Sequence, residues 1–180
     1  MSLPKRICVF CGSSAGTRPE YRAAAAALGT ELGRRGIELV YGGASVGLMG
    51  ELADSVLRAG GKAIGVIPEA LKKREVAHLG LTELRVVPSM HARKQLMEEL
   101  SDAFIAMPGG FGTLDEFCEI VTWRQLGIHA KPFGLLDVAG FFAPFLGFLD
   151  LAVRDGFIRP EHRALVVTSS EPSALIDRLS

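Results

Sequence analysis

Short apolar runs alternate along the chain with longer stretches in which apolar residues recur every three or four positions. The short runs predict strands at 6–10, 37–41, 62–67, 83–87, 103–107, 132–138 and 164–168. The longer stretches predict helices at 19–35, 48–59, 89–100, 117–126 and 141–154, with a last one opening at Pro172. Gly36 and the pair Gly60-Gly61 stop the first two helices, Ser89 caps the third, and Pro68 ends the third strand. Residues 69–82, which contain Lys72-Lys73-Arg74-Glu75, are the least patterned part and read either as a partial helix or as a mobile flap. Regular strand–helix alternation with short connections predicts an α/β fold: one doubly wound, Rossmann-like parallel sheet with helices on both faces, formed by the whole of residues 1–180 as one domain. Ligands on such folds bind beyond the carboxyl ends of the strands.

Three small-residue loops fall at that edge: Cys11-Gly12-Ser13-Ser14-Ala15-Gly16, Gly42-Gly43-Ala44-Ser45-Val46-Gly47, and Met107-Pro108-Gly109-Gly110-Phe111-Gly112-Thr113. The third runs from a strand into a helix and carries three glycines in four positions, leaving backbone amides uncovered at the positive end of a helix, where a phosphate is well held. No Gly-Lys-Ser/Thr follows, so the spacing is not that of a nucleotide-triphosphatase P-loop. Thr113-x-x-Glu116 also matches a capping box, in which both side chains only satisfy amides of the first helical turn; the density of glycines weighs against that plain role.

The helix at 89–100 contains a second oddity. At about 100° per residue, Met90, Leu96, Met97 and Leu100 form one arc, and Arg93 falls in its middle, with Lys94 at the edge. Two readings stand for Arg93: a packed stem with a snorkelling guanidinium, or a buried charge held for an anionic partner such as a phosphate or carboxylate.

Composition narrows the class. With 180 residues, 48% hydrophobic and 22% charged, the chain has the makings of an ordinary globular protein. Twenty basic residues balance twenty acidic ones, so no electrostatic case exists for nucleic acid or an anionic membrane. The apolar run after Lys5-Arg6 is too short for a signal sequence, and 138–153 is broken by Pro144 and Asp150, which leads to an expectation of a cytoplasmic protein. Cys8-x-x-Cys11 sits in a strand, where positions three apart face opposite sides, so buried thiols are expected there and not a redox or zinc pair.

Pro108-Gly109-Gly110-Phe111-Gly112-Thr113-Leu114-Asp115-Glu116, Ser89-Met90-His91-Ala92-Arg93-Lys94 and Tyr41-Gly42-Gly43-Ala44-Ser45-Val46-Gly47-Leu48-Met49-Gly50 together resemble the Lonely Guy family of cytokinin riboside 5′-monophosphate phosphoribohydrolases. The resemblance runs from the Cys-Gly-Ser-Ser loop to about Trp123. It implies hydrolysis of the N-glycosidic bond of an N6-substituted adenosine 5′-monophosphate, releasing base and ribose 5-phosphate. It implies Arg93 and Glu116 as the catalytic pair. Glu75, Met90, Lys94, the Gly110, Phe111, Gly112 and Thr113 loop, Thr122, Ser13 and Gly43 are implied as nucleotide contacts. It further implies no metal or organic cofactor, and a homodimer with its sites near the subunit boundary. An older label for such sequences, lysine decarboxylase, implies pyridoxal phosphate, yet no motif singles out a Schiff-base lysine. Ala44 stands where the family more often has a third glycine, adding a methyl beside the expected ligand and putting substrate preference in question.

Two other classes compete. Gly42-x-Ala44-x-x-Gly47 approaches a dinucleotide fingerprint, with Glu69 about twenty residues on, but it follows the second strand, lacks the middle glycine and leaves Arg93 and Glu116 unexplained. A non-catalytic nucleotide or cofactor carrier could use the same fold, although such a protein has no need of both Glu116 and Arg93.

Overall fold

The computed structural model describes residues 3–72 and 76–180. Seven parallel strands form one sheet: β1 (Arg6–Phe10), β2 (Glu38–Tyr41), β3 (Ala63–Pro68), β4 (Glu83–Val87), β5 (Ala103–Ala106), β6 (Phe133–Leu136) and β7 (Val167–Ser169). Their order across the sheet is β4-β3-β2-β1-β5-β6-β7. The central strands are buried along nearly their whole length because helices cover both faces, which is why they read as unbroken apolar runs; only the edge strands β4 and β7 keep exposed or half-exposed positions throughout.

Alternate residues of β1 feed two cores. Ile7 and Val9 join Leu28, Leu39, Tyr41 and Leu52 on the face covered by α1 (Pro19–Arg34) and α2 (Gly47–Arg58). Cys8 and Phe10 join Met97, Phe104, Phe117 and Phe133 on the face covered by α3 (Met90–Leu100) and α4 (Phe111–Gln125). Cys8 and Cys11 thus lie in different cores as separate thiols, and burial pushes both well above the usual thiol range. Cys118, the third thiol, is exposed on α4.

The first crossover depends on close helix contact. A Cβ at Gly29 of α1 would sit 2.5 Å from the Leu52 carbonyl oxygen and 2.8 Å from Ser55 Cβ of α2. In an isolated helix Gly→Ala is worth about 1 kcal/mol in favour of Ala; here the added methyl meets backbone, so overpacking decides the sign. Gly29→Ala is expected to lower the unfolding free energy by about 1–3 kcal/mol, read as a drop in urea midpoint.

Several elements differ from the sequence expectation. The helix expected at 117–126 begins at Phe111, because Gly110 in extended backbone already serves as its N-cap. Thr113 is therefore the third helical residue and not a cap, and Gly110 makes no side-chain cap bond, so no capping box forms. Pro68 belongs to β3 and closes its ladder opposite Val87. The end of the 132–138 segment is a 3-10 turn, Val138–Gly140, in which Ala139 has φ +54°. After α5 (Ala143–Arg154), Pro160 starts an unforeseen short helix, α6 (Pro160–Ala164), and so delays β7. Helix α7 (Pro172–Arg178) closes the chain. In the unpatterned segment, Glu69–Leu71 is a single 3-10 turn and Ala77 bridges Ala44 antiparallel.

Strand order reverses at the neighbouring pair β1 and β5, so the loops leaving them diverge and open a crevice.

Candidate active site

The crevice is lined by the loops that leave β1 and β5. Gly12, just after β1, donates its amide to the Pro108 carbonyl at 3.0 Å, tying the first loop to the one leaving β5. Gly109 has to be a glycine for this approach: a Cβ there would lie 2.9 Å from the Gly12 nitrogen and would overlap the Thr113 hydroxyl. The Gly12 carbonyl in turn accepts from Leu48 N at 3.1 Å and Met49 N at 3.4 Å, so backbone occupies the N-terminal amides of α2. The N-terminus of α4 is different. Its first-turn amides at Phe111, Gly112 and Thr113 have no partner within a helix, and a cavity of about 290 Å³ lies against them.

Arg93 comes from α3, whose N-cap Ser89 accepts from Ala92 N at 3.1 Å. It is 4% exposed, which rules out the snorkelling alternative. Its Nη2 donates to the Gly42 carbonyl at 3.1 Å, and Nη1 lies 3.8 Å from Met90 Sδ. Glu116, 9% exposed, projects from the second turn of α4 and lines the same cavity. The fields of both reach the buried Cys8 thiol, where Glu116 raises the pKa and Arg93 lowers it, both less than burial itself does.

Of the residues expected from sequence, Ser13, Met90, Arg93, Gly110, Phe111, Gly112, Thr113 and Glu116 line this cavity. Four others do not. Lys94 spans α3 and α4, with Nζ 3.1 Å from both Asp115 Oδ2 and Glu119 Oε1, beside a depression lined by His91 and Trp123. Burial works against its ammonium, yet Glu119 and Asp115 outweigh burial and hold its pKa above the ordinary value. Thr122 is exposed farther along α4 and donates to the Cys118 carbonyl at 2.7 Å. Gly43, with φ +78°, packs against Leu84 and Ile67. Glu75 lies outside the described residues.

Cys11, Met49, Leu71 and Asp115 also line the cavity and were not singled out from sequence. Asp115 had a signal in its place beside Glu116; Leu71 had none, because it arrives from the unpatterned segment. The Ala44 methyl does not reach the cavity: the residue is fully buried in the core against α2. A second cavity of about 270 Å³ shares Gly12, Ser13 and Gly110 with the first and carries Tyr21 and Phe141, whose rings meet edge-to-face at 5.7 Å.

Residues 49–179 match the family model described as "Possible lysine decarboxylase". A probable cytokinin riboside 5′-monophosphate phosphoribohydrolase of Oryza sativa subsp. japonica is 54% identical over 175 residues, covering 97% of this chain and 77% of the relative. A cytokinin riboside 5′-monophosphate phosphoribohydrolase of Arabidopsis thaliana is 51% identical, covering 97% of this chain and 82% of its own. This chain belongs to the cytokinin riboside 5′-monophosphate phosphoribohydrolase family. Among solved structures, the molybdenum cofactor binding protein of Rippkaea orientalis has the same fold, with TM-score 0.71 at 24% identity over 96% of this chain and 93% of that one.

The decarboxylase description of the family model finds no Schiff-base lysine among the described residues of the site. Among the described residues lining the cavity none is a lysine, and Lys94 is held between two carboxylates. A dinucleotide site in the second loop fares no better. The α2 amides that would take a pyrophosphate are bonded to Gly12, and a Cβ at Gly47 would overlap the Ser13 backbone. In this phosphoribohydrolase-family chain the second glycine loop is packed against the first, whereas the third lines the cavity with Gly110, Phe111, Gly112 and Thr113 at the start of α4.

Proposed function

We propose that the chain hydrolyses the N-glycosidic bond of N6-substituted adenosine 5′-monophosphates, releasing the free base and ribose 5-phosphate. The observation that carries this is the meeting of a buried carboxylate, Glu116, and a buried guanidinium, Arg93, in one cavity with the N-terminus of α4. Amides of Phe111, Gly112 and Thr113, the helix dipole and the Ser13 hydroxyl hold the 5′-phosphate. Anchored there, the ribose carries C1′ toward Glu116 in the next turn of the same helix.

As the C1′–N9 bond lengthens, the ribose gains oxocarbenium character and the base leaves with the bonding electron pair. The Glu116 carboxylate stabilises the positive charge and takes a proton from the water whose oxygen bonds to C1′. The base takes up a proton as it departs. Arg93 orients Glu116 or binds the phosphate from the opposite wall. Met90 and Phe111 form the mouth of the cavity, where an apolar base is accommodated. Lys94, Thr122 and Gly43 belong to this reading as contacts beyond the cavity, and Glu75, outside the described residues, belongs to it through the family resemblance alone.

The cavity mouth also supports a homodimer with its sites near the subunit boundary, since the Phe111 ring is 93% exposed beside Met90 and a partner subunit would cover it. Three unbridged thiols fit a reducing, cytoplasmic setting.

Incubation with AMP, with isopentenyladenosine monophosphate and with the matching nucleosides, following base and ribose 5-phosphate, tests the activity. Release from both monophosphates and none from the nucleosides is expected. Tight nucleotide binding without release would instead make the chain a carrier.

A further inference from the structure

Tyr41 ends β2 and is fully buried in the core against α1 and α2. A phenol so placed needs a hydrogen-bond partner for its hydroxyl. The partner is the Ala44 carbonyl, three residues on, at 3.1 Å. This bond closes the Gly42–Ala44 turn from inside, with Gly43 in the left-handed region at φ +78°. From outside, His78 N donates to the Gly43 carbonyl at 2.9 Å, and Ala77 bridges Ala44. The third carbonyl of the turn, that of Gly42, accepts from Arg93 Nη2 at 3.1 Å. Each carbonyl of the turn thus has its own donor, and one of those donors is the buried guanidinium of the cavity. Tyr41 itself does not touch the cavity.

We propose that the Tyr41 hydroxyl is a positioning group for the hydrolysis: by fixing the Gly42–Ala44 turn it sets the Gly42 carbonyl, and through it the Arg93 guanidinium at the cavity wall. The proposal rests on the reading of Arg93 as a catalytic residue. Burial drives the phenol pKa well above its ordinary value, so the group stays a donor across the working pH range. A plain core role would need only the ring, which phenylalanine supplies equally well.

Tyr41→Phe keeps that ring and removes the bond. Displacements of around 1 Å at a catalytic group cost up to about 100-fold, so kcat with AMP is expected to fall between about 10- and 100-fold, with KM within about twofold. A double-mutant cycle with Arg93→Lys separates positioning from packing. If Tyr41 acts through Arg93, Tyr41→Phe costs less than about twofold once Arg93→Lys has already shifted the charge. An equal loss in both backgrounds, or an undiminished kcat in Tyr41→Phe alone, overturns the proposal. Arg93→Lys at the full wild-type rate would remove the role of Arg93 and the positioning role with it, while base release by the wild type would leave the function standing. Urea midpoints of the four proteins, read alongside, show whether a lost rate is only lost folded protein.

Discussion

Glu116→Gln is expected to lower kcat for base release from AMP about 1,000-fold, within the 10²–10⁴ range typical for loss of a positioned acid–base group. The substitution keeps shape and most hydrogen-bonding capacity but removes the negative charge that faces C1′ and the basic oxygen that receives the proton. Its neighbours cannot replace it. Asp115 is largely exposed and engaged with Lys94, and Glu119 lies on the other oxygen-to-ammonium contact of the same lysine. Glycosidases acting on O-glycosides usually have a second carboxylate across the bond; among the described residues lining the cavity only Glu116 and Asp115 are acidic. Because the charge matters most in the transition state, KM should move far less than kcat. Steady-state kinetics with chromatographic detection of adenine decides it, and a loss below tenfold would remove Glu116 from the chemistry.

How much of this was legible in the sequence depends on which physical signal each residue gives. The strands were readable because burial on both faces leaves unbroken apolar runs, as in β3 and β5. Arg93 announced itself as a charge in an apolar arc, and the structure places it 4% exposed. The start of α4 was misread because Gly110 and Gly112 weigh against helix by propensity, whereas the fold needs bare backbone there and starts the helix at Phe111. Lys94 carried no local clue to its pairing, since Asp115 and Glu119 are brought to it only by the packing of α3 on α4. The blocked N-terminus of α2 was equally hidden: its amides are bonded by Gly12, distant in sequence and adjacent only through the β1–β2 pairing. Local pattern therefore identified which loops matter, and tertiary contact decided which of them line the cavity.

That division also explains why the loop glycines are not equivalent targets. Gly42→Ala is expected to reduce kcat with AMP about 100-fold while leaving the fold intact. A Cβ at Gly42 would overlap Arg93 Nη2 and lie 3.0 Å from Met49 Sδ, both ends of flexible side chains. The backbone at Gly42 is outside the left-handed region, so alanine fits its dihedral angles without strain. Something has to give, and the guanidinium moves more easily than the sheet. At Gly47 the outcome differs: its φ is +64° and a Cβ would overlap the Ser13 backbone, so substitution there should cost stability and activity together. For Gly42→Ala the urea midpoint should hold or rise slightly, since a compatible Gly→Ala change gains about 0.4–1 kcal/mol through the unfolded chain. Loss of kcat at unchanged stability would show that the cavity depends on where Arg93 is held and not only on its presence. A Gly42→Ala protein with the wild-type rate would mean that the guanidinium works from more than one position, and that its contact with the Gly42 carbonyl does not set the rate.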